Sequence, residues 1–359
     1  MTTAFAYLGA GPDAIESLPH TRISCWVHCL RDALYARGLR ETARALAQPL
    51  DFVIERTADG ELLTLYGGLD ADYHHPRFQR GVSARWETSP HREEQALDLI
   101  HRELARGHAV PVSPDPRGMR HSEFYRIPHL GYPHTFLVHE VGPHTTRAAD
   151  RNTRASSGFT DNRGTVPTDE LRRGMTGAPV LVWDAGPPEQ DWPDELRRLL
   201  EHSVRRMTEP DRPEAGLAGL LALPGVLEGL ETHPDRARLL RTSVAGPLQR
   251  QVAGDRLLLA RVLAADTWTR ERGPRTTALA AECAELTRAS SDALVDLARA
   301  AFLLSRSWSA DTLTLCGRRA AQVHDLDARA ADRMSALATS LRPGAAAPDE
   351  PPAPRARTH

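Results

Sequence analysis

The chain contains no lysine; all 45 basic residues among its 359 are arginine. This excludes the chemistries that need a lysine amine, namely a Schiff base to pyridoxal phosphate, the P-loop lysine and the kinase lysine. Genomic base composition explains the omission equally well, since alanine and leucine are abundant, but the exclusion holds whatever the cause. Cysteine is scarce. Cys25, Cys29, Cys283 and Cys316 are too few and too scattered for a disulfide framework, so a reducing, cytoplasmic setting is expected. No apolar run approaches the ~20 residues of a membrane span, so no membrane association is expected. The N-terminus lacks a basic region followed by an apolar run, so no secretory signal is expected either. A net charge of −2 leaves no basic footprint for nucleic acid.

What is present suits a packed protein. The hydrophobic fraction of 41% is enough for a core, and the length fits one large domain or two smaller ones. Residues 1–24 read as loop or short strand, broken by Gly9, Gly11 and Pro12. A helix is expected from Trp26 to Arg37, with Val27, Leu30, Ala33 and Leu34 on one face and Gly38 as its stop. Leu50 to Gly67 reads as a hairpin turning at Asp59-Gly60. A second helix is expected over Glu93 to Arg106, closed by Gly107. Strands are expected at Ala109–Ser113, Thr135–Val141 and Ala178–Trp183, with Thr168 capping a short helix through Arg173. Pro187, Pro188 and Pro193 mark a linker. Helical spacing dominates from Asp194 to about Leu341, for example Leu257, Ala260, Arg261, Ala264 and Trp268, or Leu294, Leu297, Ala301 and Leu304. The organisation expected is an α+β domain over 1–186, an α-helical domain over 187–342 and a disordered tail over 343–359.

The chemistry points to Cys25. A cysteine in the first turn of a helix sits among unpaired N–H groups at the positive end of the helix dipole, which favours the thiolate. Such a nucleophile needs a base and a residue that orients the base. A strand is expected to place His134 rigidly, and its period of two points Phe136 and Val138 to the same face. Asp150 follows sixteen residues later, room for a turn at Gly142-Pro143 and a return strand that ends beside the imidazole. Competing readings exist. Cys29 could be the nucleophile, but it lies inside the helix. Cys25, Cys29 and His28 could bind zinc with a distant histidine, but no second ligand pair appears at ligand spacing. His139 lies on the strand face opposite His134 and reads as structural. Cys283 and Cys316 read as core thiols, and Trp192, Trp268 and Trp308 as packing. The Arg197-Arg198 and Arg205-Arg206 pairs read as a solvated helix face, or as a contact for an acidic carrier protein.

Cys25-x4-Leu30-Arg31-Asp32-x-Leu34-x3-Gly38 resembles the start of papain-like domains of the bacteriocin-leader peptidase group. It is closer still to the family of butirosin biosynthesis protein H. Leu104-Ala105-Arg106-Gly107-His108-Ala109-Val110-Pro111-Val112, with Asp115 after it, resembles that family's helix, glycine and strand. His134-Thr135-Phe136-Leu137-Val138-x3-Gly142 resembles its histidine strand, Asp150 falls where its aspartate does, and Val166-Pro167-Thr168-Asp169-Glu170-Leu171 is similar to its closing helix. Gly216-Leu217-Ala218-Gly219-Leu220 and Trp268 resemble the helical domain that follows. The resemblance covers most of residues 20–340. It implies a papain-like fold with an appended helical domain, and a cysteine-dependent acyltransferase of secondary metabolism. The acyl group would come from a phosphopantetheine thioester on an acyl carrier protein, and the acceptor would be an amine of a small natural product, with no bound cofactor or metal. Carried over, Cys25 is the nucleophile, His134 the base and Asp150 the orienter. Two positions depart from the pattern. Leu18-Pro19-His20-Thr21-Arg22 lacks the glutamine that related peptidases place before the cysteine, leaving His20 or backbone N–H groups to hold an oxyanion. Arg151 stands where a proline commonly follows the aspartate. The alternatives are a cysteine peptidase or amidase using the same residues, and a non-catalytic partner protein in which Cys25 is a core thiol.

Overall fold

A computed structural model describes residues 24–36, 46–67, 84–115, 118–120, 135–150, 159–160, 163–183, 192–209, 211–265 and 273–342. Residues 1–23, His134, Arg151, Pro187, Pro188, Trp268 and the tail 343–359 lie outside them.

Helix α1 spans Cys25–Ala36 as described, starting one residue before the expected Trp26; the expected end at Arg37 and stop at Gly38 lie outside the described residues. It differs from the single apolar face expected of it, because Trp26 through Tyr35 are all buried, including His28, Arg31 and Asp32. Burying that polar side is tolerable because the Arg31 guanidinium grips the Asp32 carboxylate, Nε at 2.9 Å and Nη2 at 2.5 Å from Oδ1.

Strands β1 (Val53–Arg56) and β2 (Leu62–Tyr66) form the expected hairpin, with Gly60 at φ 82° in its turn. A larger sheet contains β3 (Ala84–Thr88), β4 (Val110–Val112), β5 (Phe136–Val141), β6 (Thr145–Ala149), β7 (Phe159–Thr160), β8 (Arg163–Pro167) and β9 (Pro179–Trp183). Its order is β3-β9-β4-β5-β6-β8-β7, and every pairing is antiparallel. Helix α2 (Asp98–Ala105) precedes β4, and α3 (Thr168–Met175) follows β8. The second expected helix is therefore divided, a 3-10 turn at Glu93–Gln95 standing ahead of α2. Thr168 does not cap α3. It is the first helical residue, and its hydroxyl donates to the Gly142 carbonyl at 2.8 Å, tying the helix to the β5–β6 turn.

The two faces of this sheet carry different cores. Val110, Val112, Phe136, Val138, Ala148 and Val180 pack with Leu99, Ile100 and Leu171 of α2 and α3. Ala109, Leu137, Ala149, Leu181 and Trp183, from the other face, join α1, the hairpin and the C-terminal helices.

Residues from 192 to 342 are helical in nearly all of their described length. Helix α4 is Trp192–Thr208, with Pro193 in its first turn, where a missing N–H costs little. Helix α5 is Gly216–Gly229. Helix α6 (Arg236–Leu239) runs through π-helical turns at Leu240–Ala245 and Leu248–Val252 into α7 (Ala253–Ala264). Pro247 lies between the two wide turns and cannot donate to the helical ladder. Long helices α8 (Pro274–Arg306) and α9 (Ala310–Ser340) complete the fold. The buried face of α9 repeats at alternating spacings of four and three, through Cys316, Ala320, Val323, Asp327, Ala330, Met334 and Leu337. Asp327 occupies one of those core positions. Arg256 of α7 neutralises it, with Nη2 at 2.5 Å from Oδ2, and Ser290 of α8 donates to Oδ1 at 2.6 Å. Among the described residues no helix is long and apolar enough to cross a membrane.

Candidate active site

Cys25 is the first residue of α1, and the His28 N–H already bonds the Ser24 carbonyl at 3.3 Å. No acidic side chain lies in this first turn to oppose a negative sulfur. Cys25 is partly exposed, whereas Cys29, Cys283 and Cys316 are buried.

The start of α1 is held against the start of β5 by one residue. The Thr135 backbone N–H donates to Cys25 Sγ at 3.4 Å, and the Cys29 thiol donates to the Thr135 carbonyl at 3.4 Å. The Thr135 hydroxyl pairs with that of Ser113 at 2.7 Å. His134 lies outside the described residues, but it precedes Thr135 in the chain, so its own carbonyl carbon is bonded to the nitrogen that contacts Cys25. The return strand ends as the sequence suggests, with β6 closing at Ala149 and Asp150 next, fully buried. Ala149 pairs with Leu137. One further step of that register sets Asp150 opposite Phe136.

Phe136 and Val138 belong to the α2 and α3 side of the sheet, while Leu137 belongs to the α1 side. The ladder of β5 begins at Phe136, and His134 lies outside the described residues, so its approach to Cys25 belongs to the proposal below.

His139 sits at an irregularity between Val138 and Glu140 in the β5–β6 pairing. Burial, then the charges of Arg147 and Arg163, hold its pKa down at about 4, so it is neutral at pH 7. The unfolded chain binds this proton near pH 6.5 and the folded chain only near 4. Stability contributed by neutral His139 is thus intact above pH 6.5 and falls as the pH drops towards 4, by about 3 kcal/mol in all. His139→Leu should flatten the fall in urea midpoint between pH 7 and 4.5. An unchanged slope in that variant would contradict the assignment.

The arginine pairs of α4 are mostly engaged on their own helix. Arg197 meets Asp194 at 2.6 Å and Glu201 at 2.8 Å, and Arg198 meets Asp194 at 2.5 Å. Arg206 is not on a solvated face, because it turns inward to buried Asp51 at 2.6 Å. The sequence reading missed Ser113 and Thr135. A serine after one strand and a threonine before another carry no pattern that separates them from ordinary polar residues at strand ends.

Burial pushes the Cys283 thiol up to about 12 and the Cys316 thiol up to about 11, leaving both protonated and shielded. Iodoacetamide on the folded protein at pH 7 should therefore add one carbamidomethyl group, mapping to Cys25. A second adduct on Cys283 or Cys316 at a comparable rate would contradict the burial pattern.

Neither protein-family models nor curated proteins match this chain.

Proposed function

We propose that this protein is a cysteine-dependent acyltransferase with a papain-like catalytic unit over 1–186 and an appended helical unit over 187–342. Its acyl donor is a phosphopantetheine thioester on an acyl carrier protein, and its acceptor is a primary amine of a small natural product. The observation that carries the reading is the position of Cys25. It is the one partly exposed cysteine, it begins a helix, and a backbone N–H from the start of β5 points at its sulfur. Supporting it is Asp150, buried at the end of the neighbouring strand.

In this scheme His134 takes the Cys25 proton and Asp150 fixes the imidazole tautomer. Cys25 Sγ attacks the thioester carbonyl and forms a new C–S bond. The oxyanion is held by N–H groups at the start of α1. The pantetheine sulfur leaves and takes the proton from the imidazolium. The amine then attacks the acyl-enzyme, forms a C–N bond, gives its proton to His134 and releases the Cys25 thiol. The chemistry needs a reduced thiol, which a cytoplasmic setting maintains.

The test is thiol release from an acyl-pantetheine thioester, followed with and without a primary amine. The reading expects amine-dependent release with amide as the product. Release at one rate regardless of amine, with free acid as the only product, would replace transfer by hydrolysis.

A further inference from the structure

We propose that Ser113 and Thr135 form a positioning pair that sets the nucleophilicity of Cys25. The inference rests on the reading of Cys25 as nucleophile and adds two residues to that site. Ser113 follows β4 directly and Thr135 precedes β5 directly, and both are buried. Their hydroxyls are 2.7 Å apart. Ser113 is itself anchored, because its backbone N–H donates to the Pro179 carbonyl of β9 at 3.0 Å. Constraint therefore passes from β9 through Ser113 to the Thr135 side chain, and fixes how the backbone on either side of the Thr135 Cα meets α1.

Thr135 presents both of its backbone polar groups, which lie on either side of its Cα, to sulfur. The N–H donates to Cys25 at 3.4 Å, and the carbonyl accepts the Cys29 thiol at 3.4 Å. A donor aimed at sulfur stabilises S⁻ more than SH. The carbonyl of the same residue would repel a thiolate, and here it is directed to the proton of the other cysteine. Cys29 thus keeps the negative end of Thr135 away from the reacting sulfur. Rotation of the Thr135 unit would lose both effects, and the hydroxyl pair with Ser113 opposes that rotation. Neither side chain touches the acyl group; both act through the Thr135 backbone. Among the described residues, the other titratable groups on the segments that meet here include Cys29 and His28 on α1 and Asp150 after β6. The variants below change none of them.

The experiment measures the rate of Cys25 carbamidomethylation by iodoacetamide from pH 5 to 10, with the melting temperature of each full-length variant. Ser113→Ala and Thr135→Val should raise the midpoint of the pH profile by about half a unit, slowing alkylation about threefold below the midpoint. Thr135→Ser keeps the hydroxyl and should restore the wild-type midpoint. Thr135→Val is nearly isosteric and carries the test should Ser113→Ala not fold. Unchanged midpoints in folded variants would overturn the proposal, as would a Thr135→Ser shift as large as that of Thr135→Val. Alkylation needs no acyl donor, so the two readings can fail separately. Shifted midpoints with no acyl adduct would sink the acyltransferase and leave the pair standing. Acyl transfer with unmoved midpoints would do the reverse.

Discussion

Cys25→Ala should abolish acyl transfer, and Cys29→Ala should retain much of it. Both residues lie on α1 and both sulfurs meet the backbone of Thr135, so proximity does not separate them. Position and access do. Cys25 is the first helical residue, at the end where N–H groups are unpaired, and it is partly exposed. Cys29 is one turn further in, 3% exposed, with its thiol already donating to a carbonyl. An acyl group of any size has no route to it without opening the α1 core. His134→Ala should lower the acylation rate by about two to four orders of magnitude, the usual contribution of a positioned base. Asp150→Ala should do less, since an orienter makes no bond. Loss of activity in Cys29→Ala with full activity in Cys25→Ala would reverse the assignment. Indifference to both would remove the acyltransferase and favour a non-catalytic partner protein.

The second large effect concerns stability. Arg256→Met should destabilise the fold by about 3 to 5 kcal/mol, because it leaves a buried carboxylate without its counter-charge. Arg256 and Asp327 are both fully buried and meet at 2.5 Å. The same guanidinium donates to the Asp51 carbonyl at 3.2 Å and the Val252 carbonyl at 3.1 Å. One side chain thereby links α7, α9 and the segment leading into β1. Removing both charges should hurt less than removing one, since an apolar pair avoids the desolvation of either ion. The double variant Arg256→Met/Asp327→Leu is expected to recover a substantial part of the loss in urea unfolding. A double variant as unstable as the sum of the singles would show that the carbonyl contacts, rather than the ion pair, dominate.

The sequence reveals most where local pattern and local structure coincide. Asp59-Gly60 demanded a turn, and β1–β2 turns there with Gly60 at positive φ. The Gly142-Pro143 turn and the return to Asp150 were readable because both strands are short and adjacent. What was hidden depends on residues distant in sequence. Nothing near Arg31 announces that α1 is buried along nearly its whole length; that follows from residues distant in sequence, β4 and β5 among them, packing against it. Asp327 reads as an exposed charge on α9 until Arg256, 71 positions earlier, is placed beside it. The wide turns around Pro247 have no local apolar signature. The candidate site divides in the same way. The places of Cys25 at a helix start and Asp150 after a strand are legible from local pattern. Ser113 and Thr135 emerged only when β4 and β5 were paired.

The most direct test of the central claim is intact-mass analysis after brief incubation with an acyl-carrier thioester and no amine, followed by peptide mapping. The account predicts one added acyl mass, located on the peptide that bears Cys25, absent in Cys25→Ala and discharged by a primary amine. An acyl mass located on any other residue, or none with carrier thioesters of several chain lengths, would contradict it.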